Sequence, residues 1–157
     1  MNPRNSIAAL ILITVALTLL VSCNRKTIYS HYEHPPLAGW EKNDTLLFHV
    51  YPIRSEGNYQ EHVGLRINGD YPFTGLSLIV EQRTVPSGMM RSDTLHTRLI
   101  DHDGTIQGKG VSLFQYEFHL ANLYLSSGDT LIVSIRHNMK REMLHGISDI
   151  GVTLSAF

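Results

Sequence analysis

Apolar side chains recur at every second position along much of this chain, and this period of two predicts β-strands. The clearest case is Phe114, Tyr116, Phe118 and Leu120, which alternate with polar residues, so one face of the strand is apolar. No segment carries a helical period over a useful length, although 139–144 has room for one helical turn. The other predicted strands lie near residues 27–32, 45–50, 63–67, 76–80, 95–99, 131–135 and 150–154.

Turn-forming residues separate these predicted strands. They are residues that tolerate positive φ angles, as hairpins require: Asn68-Gly69-Asp70, Ser87-Gly88, Asp103-Gly104 and Ser127-Gly128-Asp129. Seven or eight short strands with such turns predict an all-β fold, a single antiparallel β-sandwich that is jelly-roll-like. We expect it to span residues 23–157, because a domain of that size buries enough surface for an unaided core.

Residues 1–22 read as an export signal. Arg4 supplies a positive charge, and the apolar run from Ile7 to Val21 is shorter than the roughly 20 residues that a membrane-spanning helix needs. The run ends in Leu20-Val21-Ser22-Cys23, an aliphatic, small, small, Cys order that resembles the bacterial lipobox. We therefore expect a lipoprotein signal peptide, although a plain secreted protein with an incidental cysteine is the alternative.

Cys23 is the predicted site of lipid attachment. Its sulfur is a nucleophile that can be alkylated by a diacylglyceryl group, and more than one acyl chain is needed for stable anchoring. Cys23 is the only cysteine in the chain, so a lipidated domain has neither a disulfide nor a free thiol. If the first predicted strand forms, the tether is as short as 24–27 and we expect the domain to lie close against the membrane; the alternative is a longer tether that includes Pro35-Pro36.

The charge balance offers no general surface for nucleic acid. The chain has 13 Lys and Arg against 14 Asp and Glu, and removal of Arg4 with the signal leaves 12 against 14. Such a nearly neutral domain lacks the basic footprint that phosphate binding needs.

No catalytic constellation or metal site emerges from the sequence. His31 and His34 are three positions apart, which on a strand places them on opposite faces. Asp101-His102-Asp103-Gly104 lacks the later ligands of a calcium loop and is interpreted as a hairpin tip. We predict no catalytic residues, no metal, no cofactor and no small-molecule substrate, and therefore a protein that is not an enzyme.

The triplet Asp-Thr-Leu occurs three times, with its threonine at Thr45, Thr94 and Thr130. It resembles the acceptor for O-glycosylation in exported proteins of Bacteroidetes, so these three residues are candidate glycosylation sites. The alternative is local: Asp closes a turn and β-branched Thr opens a strand at each position.

Two segments are candidate binding surfaces. The cluster Arg136-His137-Asn138-Met139-Lys140-Arg141 follows a predicted strand, and we take Arg136, Lys140 and Arg141 as a candidate partner surface, with a solvated loop as the alternative. The aromatics Trp40, Tyr71 and Phe73 suit either a carbohydrate site or the capping of the core.

The order of several motifs resembles the GldH family of gliding-motility lipoproteins. The motifs follow the lipobox and are Trp40-Glu41-Lys42-Asn43-Asp44-Thr45, Gly64-Leu65-Arg66-Ile67-Asn68, Tyr71-Pro72-Phe73, Gly108-Lys109-Gly110, the basic cluster, and Leu144-His145-Gly146-Ile147-Ser148-Asp149-Ile150-Gly151. The resemblance covers nearly the whole chain. It implies a Bacteroidetes lipoprotein associated with the motility machinery and the linked type IX secretion apparatus, and it carries over no catalytic residues.

These observations lead to one expected function and one alternative. We expect a non-enzymatic structural or assembly lipoprotein, held in the membrane by the lipid on Cys23 and docked to envelope proteins. Asn24 stands where an inner-membrane retention signal has Asp, and no acidic run follows, so we expect the outer membrane with the domain facing the periplasm. The alternative is a glycan-binding β-sandwich module of the cell envelope.

Overall fold

The computed structural model describes residues 26–157, and these form an antiparallel all-β fold. No helix occurs among them, so this part of the chain contains none that is long and apolar enough to cross a membrane. The predicted fold class is confirmed. The strands are β1 (Lys26–Glu33), β2 (Trp40–Glu41), β3 (Leu46–Val50), β4 (Gly57–Asn68), β5 (Gly75–Val85), β6 (Met90–Arg98), β7 (Leu113–Leu125), β8 (Thr130–His137), β9 (Met143–Leu144) and β10 (Ile147–Ala156).

Eight of the strands form two four-stranded sheets. The order in one sheet is β1-β10-β4-β7 and in the other β3-β8-β5-β6, while β2 and β9 pair as a separate short ribbon. Among the eight, only β5 and β6 are joined as a hairpin within one sheet; every other connection crosses to the opposite sheet. This connectivity is that of the eight-stranded jelly roll.

The sandwich interior is apolar because alternate residues of both sheets point into it. Val63 and Leu65 of β4 and Val133 and Ile135 of β8 are fully buried, as the period of two predicts. In β7 the buried positions change from even to odd numbers at Leu120, because the pairing with β4 slips by one residue there. This β-bulge turns Ala121, Leu123 and Leu125 inward, although the first half of the strand buries Tyr116.

One polar pair crosses the core. The carboxyl of Glu61 in β4 accepts a hydrogen bond of 2.9 Å from the side-chain amide of Gln82 in β5, and both residues are buried. Gln82 also donates to Asp93 over 3.3 Å, and Asp93 pairs with Arg91. Desolvation raises the pKa of Glu61 to about 7, and the hydrogen bond from Gln82 opposes this rise.

The sandwich has two unlike ends, which we name by their connections. The short-loop end carries residues 51–56, 86–89 and 126–129, together with the start of β1 at Lys26 and the end of β10 at Ala156. The long-loop end carries residues 34–45, 69–74, 99–112 and 138–146. β10 runs between the ends with 10 residues, and at about 3.3 Å per residue it separates them by about 30 Å.

Two local predictions are wrong. Residues 139–144 form no helical turn, because Met143 and Leu144 are strand β9 and pair with Glu41 and Trp40. Lys26 and Thr27 are not part of a tether, since they pair with Ala156 and Ser155 within the first sheet. Cys23, the signal peptide and positions 24 and 25 lie outside the described residues.

Candidate functional site

The long-loop end brings together most of the motifs on which the resemblance rests. Segments 40–45, 69–74 and 138–146 meet there, although they are far apart in sequence. The backbone N–H of Asn68 donates to the carbonyl of Gly146 over 2.9 Å, and that of Lys42 donates to Glu142 over 2.8 Å. These bonds hold the connection between β8 and β10 against the end of β4 and the loop that contains Lys42.

His137 connects this end to the core. It is fully buried, its Nε2 donates to the carbonyl of Trp40 over 3.2 Å, and its Nδ1 accepts from the backbone N–H of Met139. Burial lowers the pKa of His137, so the neutral ring with its proton on Nε2 satisfies both contacts. The rings of His137 and Trp40 also pack edge to face at 5.3 Å. This histidine therefore has a structural role within the basic cluster.

Gly146 allows two loops to approach each other closely. Its φ is +82°, and a Cβ placed on it would lie 2.6 Å from the Cα of Tyr71. Tyr71 is itself buried, donates its hydroxyl to the carbonyl of Gly75 over 2.9 Å, and packs edge to face on Phe73. Only glycine satisfies both the dihedral angle and the space at this position.

A hollow of about 790 Å³ opens beside this contact. It is lined by Pro72 and Phe73 from one loop and by residues 140–143 and His145 from the other. Lys140, Arg141 and His145 are exposed, and none of the hydrogen bonds or ion pairs described for residues 26–157 ties their side chains to the fold. The hollow thus combines two positively charged side chains, Lys140 and Arg141, with the apolar side chains of Phe73 and Met143. Glu142 adds one negative charge to the lining.

Arg136 does not belong to this hollow. It lies in β8 opposite Ile79, and its neighbours Ile135 and His137 point into the core, so its side chain is on the outer face of the second sheet. The structure divides the predicted partner surface into Lys140 and Arg141 at the hollow and Arg136 on a different face.

Two glycines of the motifs, Gly64 and Gly151, leave room for the side chain of Tyr32. Gly151 of β10 pairs with both Tyr32 of β1 and Gly64 of β4, and a Cβ added to either glycine would lie within 3 Å of the Tyr32 ring. The guanidinium of Arg66 covers the same ring at 4.3 Å from its centroid. A similar arrangement places Gly108 against the ring of Tyr116. These motif glycines therefore serve packing.

The predicted carbohydrate platform is wrong for two of its three aromatics. Trp40 is fully buried and donates its indole N–H to the carbonyl of Asp44, and Tyr71 is 6% exposed. Only Phe73 is partly accessible. The core-capping alternative describes Trp40 and Tyr71.

The three candidate glycosylation residues lie in different surroundings. Thr45 is exposed just before β3, and Thr94 is exposed in the middle of the edge strand β6. Thr130 is half-buried at the start of β8, where Asp129 accepts hydrogen bonds from the backbone and hydroxyl of Ser87. The turn-and-strand alternative is correct around Thr45 and Thr130 and wrong at Thr94.

The acidic and histidine residues form no metal site in the described part of the chain. There is no group of three His, Cys, Asp or Glu side chains that could hold an ion. His31 pairs with Glu33, and His34 pairs with Asp149 over 2.5 Å. The Asp103-Gly104 segment is a hairpin tip, as predicted, since the N–H of Asp101 donates to the carbonyl of Thr105 and Ile100 bridges Ile106.

Comparison with known proteins gives one consistent result. The profile of the GldH lipoprotein family matches residues 27–154. The gliding motility lipoprotein GldH of Flavobacterium johnsoniae is 30% identical over 155 residues, which cover 89% of this chain and 91% of the relative. A gliding motility lipoprotein GldH homolog of Christiangramia forsetii is 28% identical, covering 85% and 86%.

Among solved structures, the Eiger TNF of S. frugiperda aligns with a TM-score of 0.42 and 11% identity, covering 85% of this chain and 94% of the other. A likeness at this score supports no conclusion about fold or function. The match over residues 27–154 and the two relatives do support a family assignment. The chain belongs to the GldH lipoprotein family.

Proposed function

We propose that this protein is a non-enzymatic lipoprotein that carries its lipid on Cys23 and docks to the gliding-motility and type IX secretion machinery through the long-loop end. The hollow lined by Phe73, Lys140 and Arg141 is the docking surface. Membership in a lipoprotein family supports the membrane anchor in the cell envelope, and the names of the relatives support the link to gliding motility.

The proposed docking surface rests on one observation: some motif residues are buried and maintain the fold, whereas others are exposed and do not. Trp40, His137, Gly146 and Tyr71 are buried or packed and maintain the fold. Lys140, Arg141 and His145 are exposed at the hollow, where the described contacts give them no structural partner. Residues that the fold does not use and that cluster around an apolar floor are suited to a partner protein.

Charge complementarity specifies the partner surface further. Two cations beside Phe73 and Met143 favour an acidic segment that also carries an apolar side chain. Rim charges of this kind act mainly on association rate and salt dependence. The docking should therefore weaken as the salt concentration rises.

Affinity purification with crosslinking from the native host tests this function. The double variant Lys140→Glu, Arg141→Glu should lose an envelope partner that the wild-type protein retains. Arg136→Glu is the matched control, because it reverses a charge on the outer face of the second sheet and should leave the partner in place. If the two variants behave alike, the hollow is not the docking surface. If no envelope protein is recovered with any of them, the docking function itself is wrong.

The modification and the orientation are proposed separately. At least one of Thr45, Thr94 and Thr130 carries O-linked glycan in the native host, and the exposed Thr45 and Thr94 are the more accessible. An intact mass equal to that of the lipidated, otherwise unmodified polypeptide rules this out.

The domain faces the periplasm from the outer membrane, so protease added to intact cells should leave it uncut. Digestion without lysis would assign it to the cell surface instead.

A further inference from the structure

The position of β1 determines which end of the sandwich lies near the lipid. Lys26, the first residue of β1, pairs with Ala156 at the short-loop end. Cys23 precedes Lys26 by three positions, and three residues span at most about 11 Å even when fully extended. A lipid on Cys23, which is part of the proposed function, therefore holds the short-loop end close to the bilayer.

The short-loop end also exposes apolar side chains that the sandwich does not cover. Tyr51 is 82% exposed, Phe157 is 72% exposed, and Ile28 protrudes as the unpaired residue of a β-bulge between Thr27 and Tyr29. Ile28 and Tyr51 line one hollow, and Lys26 and Arg54 stand beside them. Further exposed apolar residues at this end are Val85, Met90 and Tyr124.

Two exposed charged residues, Arg54 and Glu56, lie in the connections at this end. Among residues 51–56, 86–89 and 126–129 the charged residues are Arg54, Glu56 and Asp129, and Asp129 is buried against Ser87. The long-loop end also exposes apolar residues, and its longer connections carry ten charged residues, a similar share of their length. Those charged residues are Glu41, Lys42, Asp44, Asp70, Asp101, Asp103, Lys109, Lys140, Arg141 and Glu142.

We infer that the short-loop end is a membrane-seating surface, formed by Ile28, Tyr51, Arg54 and Phe157, which contacts the headgroup region of the bilayer that holds the anchor. Tyrosine is enriched at membrane–water interfaces, where its ring lies at the level of the headgroups. Lys26 and Arg54 add attraction for anionic lipid, and the covalent lipid supplies the high local concentration that makes these weak contacts effective.

This seating gives the molecule a defined orientation. The long-loop end, with the hollow around Phe73, is then about 30 Å from the bilayer surface, which is the length of the ten-residue strand β10. Docking takes place at the end that faces away from the membrane and not beside the lipid.

The orientation can be measured with tryptophan probes on the full-length lipidated protein. The protein is reconstituted into vesicles of phosphatidylethanolamine and phosphatidylglycerol whose acyl chains carry bromine, which quenches nearby tryptophan. Tyr51→Trp and Phe157→Trp place probes at the short-loop end, and Val111→Trp is the matched control because Val111 is 92% exposed at the long-loop end. The single native tryptophan, Trp40, is fully buried at the long-loop end and gives the unquenched background.

The seating surface predicts that the probes at positions 51 and 157 lose most of their added emission, while the probe at 111 keeps its own. If acylated, vesicle-bound protein shows no quenching at 51 and 157, or equal quenching at all three positions, the seating surface is wrong and the lipid anchor stands. If the intact mass lacks the acyl chains and the protein does not float with the vesicles, the lipidation and the seating are both wrong.

Discussion

The buried carboxyl of Glu61 should make the stability of this protein depend on pH. The pKa of Glu61 is raised from 4.5 to about 7 in the folded protein, mainly by desolvation. Between these two values the folded state holds a proton that the unfolded state has released, so the free energy of unfolding falls as the pH rises. Stabilisation that is complete below pH 4.5 is lost once the pH has passed 7.

The magnitude follows from the size of the shift. Each pKa unit corresponds to 1.36 kcal/mol, so the shift makes the folded protein about 3 kcal/mol less stable at pH 8 than at pH 4.5. The neighbouring charges are Asp93, which raises the pKa of Glu61, and Arg91, which lowers it. Glu61 Oε1 and Gln82 Oε1 are buried without a hydrogen-bond partner, and a proton on the carboxyl turns one of these two acceptors into a donor.

The substitution Glu61→Gln removes the titration while it keeps the shape of the side chain. We expect this variant to be up to about 3 kcal/mol more stable than the wild type at pH 8, with the difference disappearing near pH 4.5. Glu81→Gln is the control, because Glu81 precedes Gln82 in β5 but is exposed on the outer face of the second sheet, and its loss should leave the pH dependence unchanged.

Urea unfolding of the mature chain with Cys23→Ser, followed by the emission of the buried Trp40, measures these free energies between pH 4.5 and 8. The wild type and Glu61→Gln differ at residue 61 alone, so the difference between their free energies of unfolding reports this position. The reasoning is refuted if Glu61→Gln keeps the wild-type slope against pH, or if it is less stable than the wild type at pH 8.

Three further predictions test the packing and the anchor. Gly64→Ala should destabilise the sandwich by about 1–3 kcal/mol, because the new Cβ would lie 2.8 Å from Cζ of Tyr32, and Tyr32→Ala in the same chain should relieve most of this loss in urea unfolding. Gly146→Ala should cost about 1–3 kcal/mol through its positive φ and its contact with Tyr71, whereas Gly69→Ala, which meets nothing within 4 Å, should be nearly neutral; equal effects would remove the argument for a close loop approach. Cys23→Ser should move the protein from the membrane fraction to the soluble fraction without a change in its unfolding midpoint, and continued sedimentation with membranes would show that the lipid on Cys23 is not the anchor.

The sequence pattern was sufficient for the fold class because most core positions are apolar and alternate. It was insufficient where a polar residue occupies an interior position. The strand predicted to begin near Val63 in fact begins at Gly57, since Glu61 points into the core and interrupts the apolar alternation. Gln82 has the same effect on β5. The reason both residues can be buried is their hydrogen bond to each other, which forms only when the two sheets pack face to face. The bulge at Leu120 is also invisible in a single strand, because it is a property of the pairing with β4.

The sequence identified parts of the candidate site but not their arrangement in space. The sequence pointed to the basic cluster and to the Tyr71–Phe73 segment, and the structure brings Lys140 and Arg141 beside Phe73. It could not separate Arg136 from its neighbours, because the side on which a residue lies depends on where β8 ends. The structural role of His137 was missed for a related reason, since the residue that covers it, Trp40, is 97 positions away.

The antiparallel course of the main strands also returns the chain to where it began. Ala156 pairs with Lys26, and the backbone N–H of Phe157 donates to the carbonyl of Asn58, so both termini of the domain lie on one side. With the proposed anchor on Cys23 and the proposed seating, a fluorescent protein or affinity tag fused after Phe157 would be held against the bilayer and would crowd the lipid. The hairpin tip at Gly104, whose added Cβ would meet nothing within 4 Å, is at the other end of the sandwich. An epitope inserted there is the better reporter for imaging or pull-down, because it leaves the proposed membrane-seating surface untouched.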